Sequence, residues 1–114
     1  MPQIDKISVF LPAYNEESNL GSTIKNVVTN LEKYFSTWEL IVVNDGSKDK
    51  TGKVADDFAK KDKRIKVIHH NPNRGYGPAL ISGLYACKYP WISFIDSDGQ
   101  FDFSEITNLV KKQK

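Results

Sequence analysis

The sequence contains one cysteine, Cys87, among its 114 residues. A single thiol excludes an internal disulfide framework and fits a reducing compartment. The chain also lacks a signal peptide and any run of about 18 apolar residues, the length that a membrane-spanning helix needs. From these absences we expect a cytoplasmic protein that folds around a hydrophobic core.

The chain also lacks a large excess of charge of either sign. The net charge is +2, and the lysines are scattered among aspartates and glutamates. This distribution gives no support to nucleic-acid binding. The P-loop sequence and the dinucleotide fingerprint are absent, and Pro12-Ala-Tyr-Asn-Glu16 follows the first apolar run instead. With 39% hydrophobic residues, the chain is long enough for one domain, residues 1–114, and too short for two.

Four buried strands alternate with helices along the chain. The apolar runs 7–11, 40–43, 65–68 and 91–95 predict the strands, and amphipathic stripes between them predict the helices. We expect Pro12 to end the first strand and Asn15 to cap the first helix. A last helix should begin at Asp102, with Glu105 completing a capping box. This alternation predicts an α/β fold, a Rossmann-like three-layer sandwich with a parallel sheet.

Polar side chains follow the carboxyl end of every predicted strand. These clusters are Tyr14 to Glu16, Asn44 to Ser47, Arg74 to Gly77 and Asp96 to Gln100. Each alone has the composition of an ordinary solvated turn. However, the carboxyl ends of parallel strands share one edge of a sheet, where α/β proteins bind ligands. We therefore interpret the four clusters as parts of one site.

The last cluster has the side chains of a divalent-cation site. Asp96 and Asp98 share one side of an extended chain, and Gln100 follows after a glycine. Carboxylate and amide oxygens suit hard cations such as Mg²⁺ or Mn²⁺. Two carboxylates this close repel each other unless a cation or a proton lies between them. We predict a metal site formed by Asp96, Asp98 and Gln100 that holds a substrate diphosphate.

The earlier clusters have the side chains of a nucleotide site. Asp45 offers an acceptor for the N–H group of a uracil or the N–H groups of a guanine, so the choice between UDP and GDP stays open. Arg74 adds a permanent positive charge, and its neighbour Gly75 allows close backbone approach. Tyr14 can pack against a base or a sugar. We expect Asp45 to lie on a strand-end turn, where its replacement would leave the fold intact.

Four motifs in this order resemble family 2 glycosyltransferases. They are Pro12-Ala-Tyr-Asn-Glu16, Val43-Asn-Asp45-Gly-Ser47, Asn73-Arg-Gly75-Tyr-Gly77 and Asp96-Ser-Asp98-Gly-Gln100. The likeness runs from about residue 7 to the end and is greatest to the dolichol-phosphate mannosyltransferase-like branch, the polyprenyl-phosphate glycosyltransferases. It implies the N-terminal half of a GT-A domain with strand order 3-2-1-4. One departure is Asn44, where many members have a second aspartate.

The resemblance also implies roles for individual residues. Asp96 and Asp98 would be catalytic, acting with Gln100 through Mg²⁺ or Mn²⁺. Residues in contact with the nucleotide would be Pro12, Ala13, Tyr14, Glu16, Asp45, Gly46, Arg74, Gly75, Asp96 and Ser97. The implied reaction moves a sugar, with inversion, from a nucleotide-diphosphate sugar to a polyprenyl phosphate. An ionised phosphate acceptor would need no strong general base.

Members of the family continue well beyond the length of this chain. We therefore expect a domain truncated at its C-terminus, inactive in transfer by itself, with the full-length protein at the cytoplasmic face of a membrane. The strand 91–95 would then present a bare apolar edge through which the chain forms a homodimer. The alternatives are transfer to a saccharide or a protein, and a nucleotide-binding module without transfer. A haloacid-dehalogenase-type phosphatase is disfavoured because its Asp-x-Asp follows the first strand.

Overall fold

The structure, a computed structural model, describes residues 5–95 and 110–111. Within them, strands and helices alternate as the sequence predicts. The elements are β1 (Lys6–Ala13), α1 (Leu20–Tyr34), β2 (Thr37–Asp45), α2 (Thr51–Lys61), β3 (Ile65–His70), α3 (Tyr76–Ala86), β4 (Trp91–Phe94) and β5 (Val110–Lys111). None of the described helices has both the length and the apolar character needed to cross a lipid bilayer.

The strands form one sheet with the order β3-β2-β1-β4-β5. β1 is parallel to both of its neighbours, β2 and β4, and β3 is parallel to β2. The predicted order 3-2-1-4 is therefore confirmed. The first three strands extend the sheet in one direction, and β4 returns to the other side of β1. The carboxyl ends of β1 and β4 thus form a topological switch point, where parallel sheets bind ligands.

The end of the chain differs from the expectation. Val110–Lys111 pairs antiparallel with Trp91 and Ile92 of β4. These two residues extend the sheet and do not continue the last predicted helix, whose expected start at Asp102 lies outside the described residues. The bare edge predicted along 91–95 is wrong at Trp91 and Ile92, which β5 covers. Self-association of the chain remains a prediction.

Helices cover both faces of the sheet, which confirms the three-layer sandwich. On one face α1 and α2 pack against alternate residues of β1 and β2, and on the other face α3 packs against the intervening residues. The first core contains Val9, Leu11, Ile24, Val27, Leu31, Leu40, Val42 and Ala55, and the second contains Phe10, Ile41, Val43, Ala79 and Ile92. Strands covered on both faces read as continuous apolar runs, which is why the sequence predicts them.

Helix α3 lies close to β1 because Gly83 has no side chain. A Cβ atom at this position would lie 2.4 Å from a ring carbon of Phe10. One turn later, Cys87 is buried as a small apolar residue, and its thiol donates a hydrogen bond to the Gly83 carbonyl oxygen at 3.2 Å. This cysteine is therefore a packing residue of the second core.

The prediction that Pro12 ends the first strand is wrong, because β1 continues through Pro12 to Ala13. The Phe10 carbonyl oxygen accepts a hydrogen bond from the Ile95 N–H, so the backbone hydrogen-bonding groups of Phe10 point toward β4. Alternate residues of a strand face the same neighbour, and Pro12 therefore faces β4 too. The β1–β4 register ends at Phe94. The missing N–H of Pro12 thus lies beyond the paired part of β4.

A buried carboxylate joins three strands and the α3–β4 connection away from the predicted site. Glu39 is 1% exposed, and its Oε2 accepts hydrogen bonds from the Ser8 hydroxyl at 2.6 Å and the Lys88 N–H at 2.7 Å. Its Oε1 accepts one from Lys66 Nζ at 2.9 Å. Ser8 Oγ in turn accepts the Tyr89 N–H at 3.0 Å. Burial raises the pKa of Glu39, but these hydrogen bonds and the Lys66 charge outweigh burial and lower it.

Candidate functional site

Three loops follow the carboxyl ends of β1, β2 and β3 at one edge of the sheet. We name them loop A (14–19), loop B (46–50) and loop C (71–75). Each contains residues that the sequence predicts for the nucleotide site. The fourth predicted cluster begins directly after Ile95, whose N–H bonds to β1. The sheet therefore brings the described clusters to one edge, as expected.

Loops A and B are held together mainly by backbone N–H groups and polar side chains. The Asn15 N–H donates to Ser47 Oγ at 3.0 Å, and the Lys48 N–H donates back to Asn15 Oδ1 at 2.9 Å. At the base of the loops, the Glu16 N–H donates to Thr51 Oγ1 at 2.7 Å. These bonds fix loop A against loop B before any ligand binds.

Asn15 makes these contacts in place of the predicted helix cap. Its φ of 53° lies in the left-handed region, which asparagine adopts more readily than most residues. Helix α1 begins only at Leu20, after a turn in which the Glu16 carbonyl oxygen accepts the Asn19 and Leu20 N–H groups. The prediction that Asn15 caps α1 is therefore wrong, because its side chain is used to join loops A and B.

Asp45 is the last residue of β2 and is 4% exposed. Its Oδ1 accepts hydrogen bonds from His70 Nδ1 and from the Arg74 N–H, both at 2.9 Å. Its Oδ2 accepts one from Asn73 Nδ2 at 2.8 Å and one from the Gly75 N–H at 2.9 Å. Loop C is thus wrapped around one buried carboxylate.

This carboxylate is ionised and fully hydrogen-bonded. Burial raises the pKa of Asp45, but the hydrogen bonds from Arg74, His70 and Gly75 outweigh burial and hold the pKa below its ordinary value. A carboxylate has about four lone-pair positions, and the chain itself fills four of them. The expectation that Asp45 lies on a strand-end turn is wrong. Base reading by Asp45 remains a prediction, and the observed contacts give it a role in shaping loop C.

Asn44, the departure from the family motif, also makes two defined contacts. Its Oδ1 accepts the Ser47 N–H at 3.2 Å, and its Nδ2 donates to His69 Nδ1 at 3.0 Å. Since an amide nitrogen only donates, the Nδ1 atom of His69 is unprotonated, and Nε2 donates to Asp56 at 2.9 Å. An aspartate at position 44 would lack this donor. The amide therefore suits the neighbouring histidine.

Gly46 is required by the contact between loops B and C. Its φ is 69°, and a Cβ atom there would lie 2.4 Å from the backbone nitrogen of Asn73. We expect Gly46→Ala to lower the free energy of unfolding by about 2 kcal/mol, because alanine is strained at this φ and would push loop C away. Urea unfolding followed by circular dichroism measures the change.

The matched control for this prediction is Gly77→Ala. Gly77 lies in the first turn of α3, and a Cβ atom there would meet nothing within 4 Å. Alanine favours a helix over glycine by about 1 kcal/mol, so this variant should be as stable as the wild type or more stable. Equal destabilisation by the two substitutions would contradict the proposed contact between loops B and C.

The predicted nucleotide residues fall into three groups. Pro12, Ala13 and Asp45 are buried; Glu16, Gly46 and Gly75 are half-buried; Tyr14 and Arg74 are exposed. Asp96, Ser97, Asp98 and Gln100 lie outside the described residues. Among residues 5–95, no three His, Cys, Asp or Glu side chains are grouped as metal ligands. The predicted metal ligands therefore all lie outside the described residues, and nucleotide binding by the described ones remains a prediction.

Sequence reasoning missed several residues that build the site. They are Thr51, which accepts the Glu16 N–H, and the pair His70 and Ser82 behind Asp45; Asn15, Ser47 and Asn73 lie in the predicted clusters, but their contacts were not predicted. Short polar residues beside glycines were a signal for loop structure. Their partners, however, lie more than ten residues away along the chain. No local pattern identifies such pairs.

Comparison with known proteins gives one family. The profile of Glycosyl transferase family 2 matches residues 8–114. Dolichyl-phosphate beta-glucosyltransferase ALG5C of Trichomonas vaginalis is 36% identical over 109 residues, which are 91% of this chain and 32% of that protein. The chain spans about a third of the length of the dolichyl-phosphate glucosyltransferases that it matches.

Solved structures share the fold. The mannosyltransferase PcManGT from Pyrobaculum calidifontis, in complex with GDP-Man and Mn2+, matches 90% of this chain and 30% of its own with a TM-score of 0.72 and 20% identity. Glucosyl-3-phosphoglycerate synthase from Mycobacterium tuberculosis, in complex with Mn2+, UDP and phosphoglyceric acid, matches 82% of this chain and 33% of its own with a TM-score of 0.65 and 31% identity.

Proposed function

Because the chain belongs to glycosyl transferase family 2, we propose that residues 1–114 are the nucleotide-sugar-binding part of an inverting glycosyltransferase. The donor is a sugar carried on UDP or GDP, and the acceptor is a polyprenyl phosphate. The observation that supports this proposal is the position of β1 beside β4: loop A begins at the same edge of the sheet as Ile95, the residue that precedes Asp96 in the sequence.

The nucleotide surface is largely pre-organised by the chain itself. Loops A and B are joined through Asn15, and loop C is fixed by Asp45. This arrangement leaves the side chains of Tyr14 and Arg74 exposed. In the proposed site, Tyr14 packs against the base or the ribose, and Arg74 attracts the diphosphate. Loops that are ordered before binding lose less conformational entropy when the donor binds.

The proposal includes a divalent metal ion because of the side chains that would bind it. Two carboxylates and one amide oxygen, from Asp96, Asp98 and Gln100, match the ligands that Mg²⁺ and Mn²⁺ take. Such an ion would neutralise the diphosphate leaving group. Two solved structures of similar fold are complexes with Mn2+, which supports the assignment without choosing between the two metals.

A lipid phosphate is the favoured acceptor because the relative of 36% identity is a dolichyl-phosphate glucosyltransferase. An ionised phosphate attacks without a strong general base, so catalysis rests on position and charge. Such an acceptor would place the whole protein at the cytoplasmic face of a membrane. A small phosphorylated acid is the second candidate, since the structure of the synthase of 31% identity is a complex with phosphoglyceric acid. Turnover assays with the two acceptor classes, on the full-length protein, separate them.

We expect the chain to bind UDP or GDP weakly unless Mg²⁺ or Mn²⁺ is present. Without the ion, the diphosphate would face the charges of Asp96 and Asp98 directly. Isothermal titration with UDP and GDP, in Mn²⁺ and in EDTA, should show affinity at least about tenfold higher with the metal for the preferred nucleotide.

The control is Asp98→Asn, which removes one proposed ligand and should largely abolish the effect of Mn²⁺. An exposed aspartate outside the site, Asp57→Asn, should leave the effect intact. Equal affinity in Mn²⁺ and EDTA for the wild type would remove the metal from the proposal. Absence of binding in both buffers would contradict the proposal that this chain binds a nucleotide.

A further inference from the structure

His70 connects the proposed nucleotide site to helix α3. It is 5% exposed and lies opposite Asp45 in the register of β2 and β3. Its Nδ1 is 2.9 Å from Asp45 Oδ1, and its Nε2 is 2.8 Å from Ser82 Oγ on α3. The imidazole therefore bridges a site carboxylate and a hydroxyl of a helix in the second layer.

The partners of His70 fix the orientation of its ring. The Asp45 carboxylate is ionised and only accepts hydrogen bonds, so Nδ1 must carry a proton. The other ring nitrogen, Nε2, lies within hydrogen-bond distance of the Ser82 hydroxyl, which can donate or accept. Both ring nitrogens are satisfied by partners on two different elements. The ring thus has one defined orientation and presents one N–H group to Asp45.

That N–H group sets the rotation of the Asp45 carboxylate. Oδ1 accepts hydrogen bonds from His70 Nδ1 and the Arg74 N–H. Oδ2 accepts hydrogen bonds from Asn73 Nδ2 and the Gly75 N–H. Turning the carboxylate would break the two backbone contacts together. The position of Arg74 in loop C therefore depends on a residue that is itself too deeply buried to meet the ligand.

We propose that His70 is a positioning residue of the nucleotide site, acting through Asp45 to hold loop C and Arg74 in place for a nucleoside diphosphate. This inference rests on the proposed nucleotide-binding function and assigns a role to a residue outside the family motifs described above. His70 touches neither substrate nor metal in this scheme. Its effect passes through a single carboxylate.

The test compares His70→Asn with His70→Gln. The Asn amide nitrogen lies near the place of Nδ1 and keeps a donor for Asp45, whereas the Gln amide nitrogen lies near the place of Nε2 and does not. Each variant loses one of the two contacts, so both should melt below the wild type. In Mn²⁺, UDP or GDP should bind about tenfold more weakly to His70→Gln, and His70→Asn should recover most of the affinity.

The matched control is His69→Asn, one residue earlier on the other face of β3, where it contacts Asn44 and Asp56. It should change the affinity by less than about twofold, because no contact links it to Asp45. Equal affinity loss in His70→Asn and His70→Gln, or no loss in either, would overturn the proposal. Either result would leave His70 with a role in packing alone.

A second measurement separates this inference from the proposed function. The amide resonances of Arg74 and Gly75 report their hydrogen bonds to Asp45 without any ligand. They should move in the NMR spectrum of His70→Gln and stay close to the wild type in His70→Asn. If the wild type binds no nucleotide but the amides behave in this way, the proposed function fails and the positioning of loop C stands. Equal movement in both variants overturns the positioning itself.

Discussion

Replacing Asp45 with Asn is expected to lower the free energy of unfolding by about 3 kcal/mol and to release loop C. The carboxylate accepts four hydrogen bonds at 2.8–2.9 Å, and one of its oxygens becomes an amide nitrogen in the variant. That nitrogen would face two N–H donors that are left without an acceptor. Urea unfolding measures the stability, and titration with UDP or GDP in Mn²⁺ measures the effect on the proposed nucleotide site.

The same substitution at Asp57 is the control. Asp57 forms an exposed ion pair with Lys53 on α2, and such pairs contribute less than about 1 kcal/mol. The free energy of unfolding of Asp57→Asn should therefore lie within about 0.5 kcal/mol of the wild-type value. If Asp45→Asn were equally mild, Asp45 would be free to read a base directly. That result would support the expectation from the sequence that replacing Asp45 leaves the fold intact.

Replacing Glu39 with Ala is expected to lower the free energy of unfolding by about 3–5 kcal/mol, as much as Asp45→Asn or more. The variant leaves the buried Ser8 hydroxyl and the partly buried Lys88 N–H without their acceptor. It also opens a space where a side chain that is 1% exposed now lies. Thermal and urea unfolding measure the change, which should not depend on the presence of nucleotide.

Lys66→Ala is the matched variant for Glu39. Lys66 Nζ is half-exposed, and its removal leaves Glu39 with two other hydrogen bonds. We expect about 1 kcal/mol of destabilisation. A loss as large as that of Glu39→Ala would mean that the ion pair, and not the hydrogen bonds to Ser8 and Lys88, gives the carboxylate its importance.

The pH dependence of stability follows from the same two carboxylates. The pKa values of Glu39 and Asp45 are lowered in the folded state. Their contribution is therefore complete above the unfolded pKa values, about 4, and is lost as the pH falls through the folded values. The stability difference between the wild type and Asp45→Asn should shrink on acidification below pH 4. A difference that stays constant down to pH 2 would contradict the ionised form of Asp45.

The sequence determined the fold class and the edge of the sheet that carries the site. Apolar runs bounded by Pro, Gly, Asn and Asp mark the four parallel strands, and amphipathic stripes mark the helices between them. These signals are local, since each depends on residues within one or two turns or a few strand positions. The order of the strands came from the resemblance carried by the four motifs. Boundaries such as Pro12 were misjudged because the sequence does not say which neighbour a residue faces.

Only the tertiary structure decided what the buried polar residues do. Asp45 meets His70 because the register of β2 and β3 places them side by side, and a slip by one residue would turn His70 to the opposite face. Glu39 meets Lys88 across 49 residues of sequence. The pairing of Val110–Lys111 with β4 likewise had no local signal. Hydrophobic periodicity fixes which face of an element is buried, whereas the partner of a buried polar group depends on how distant elements are aligned.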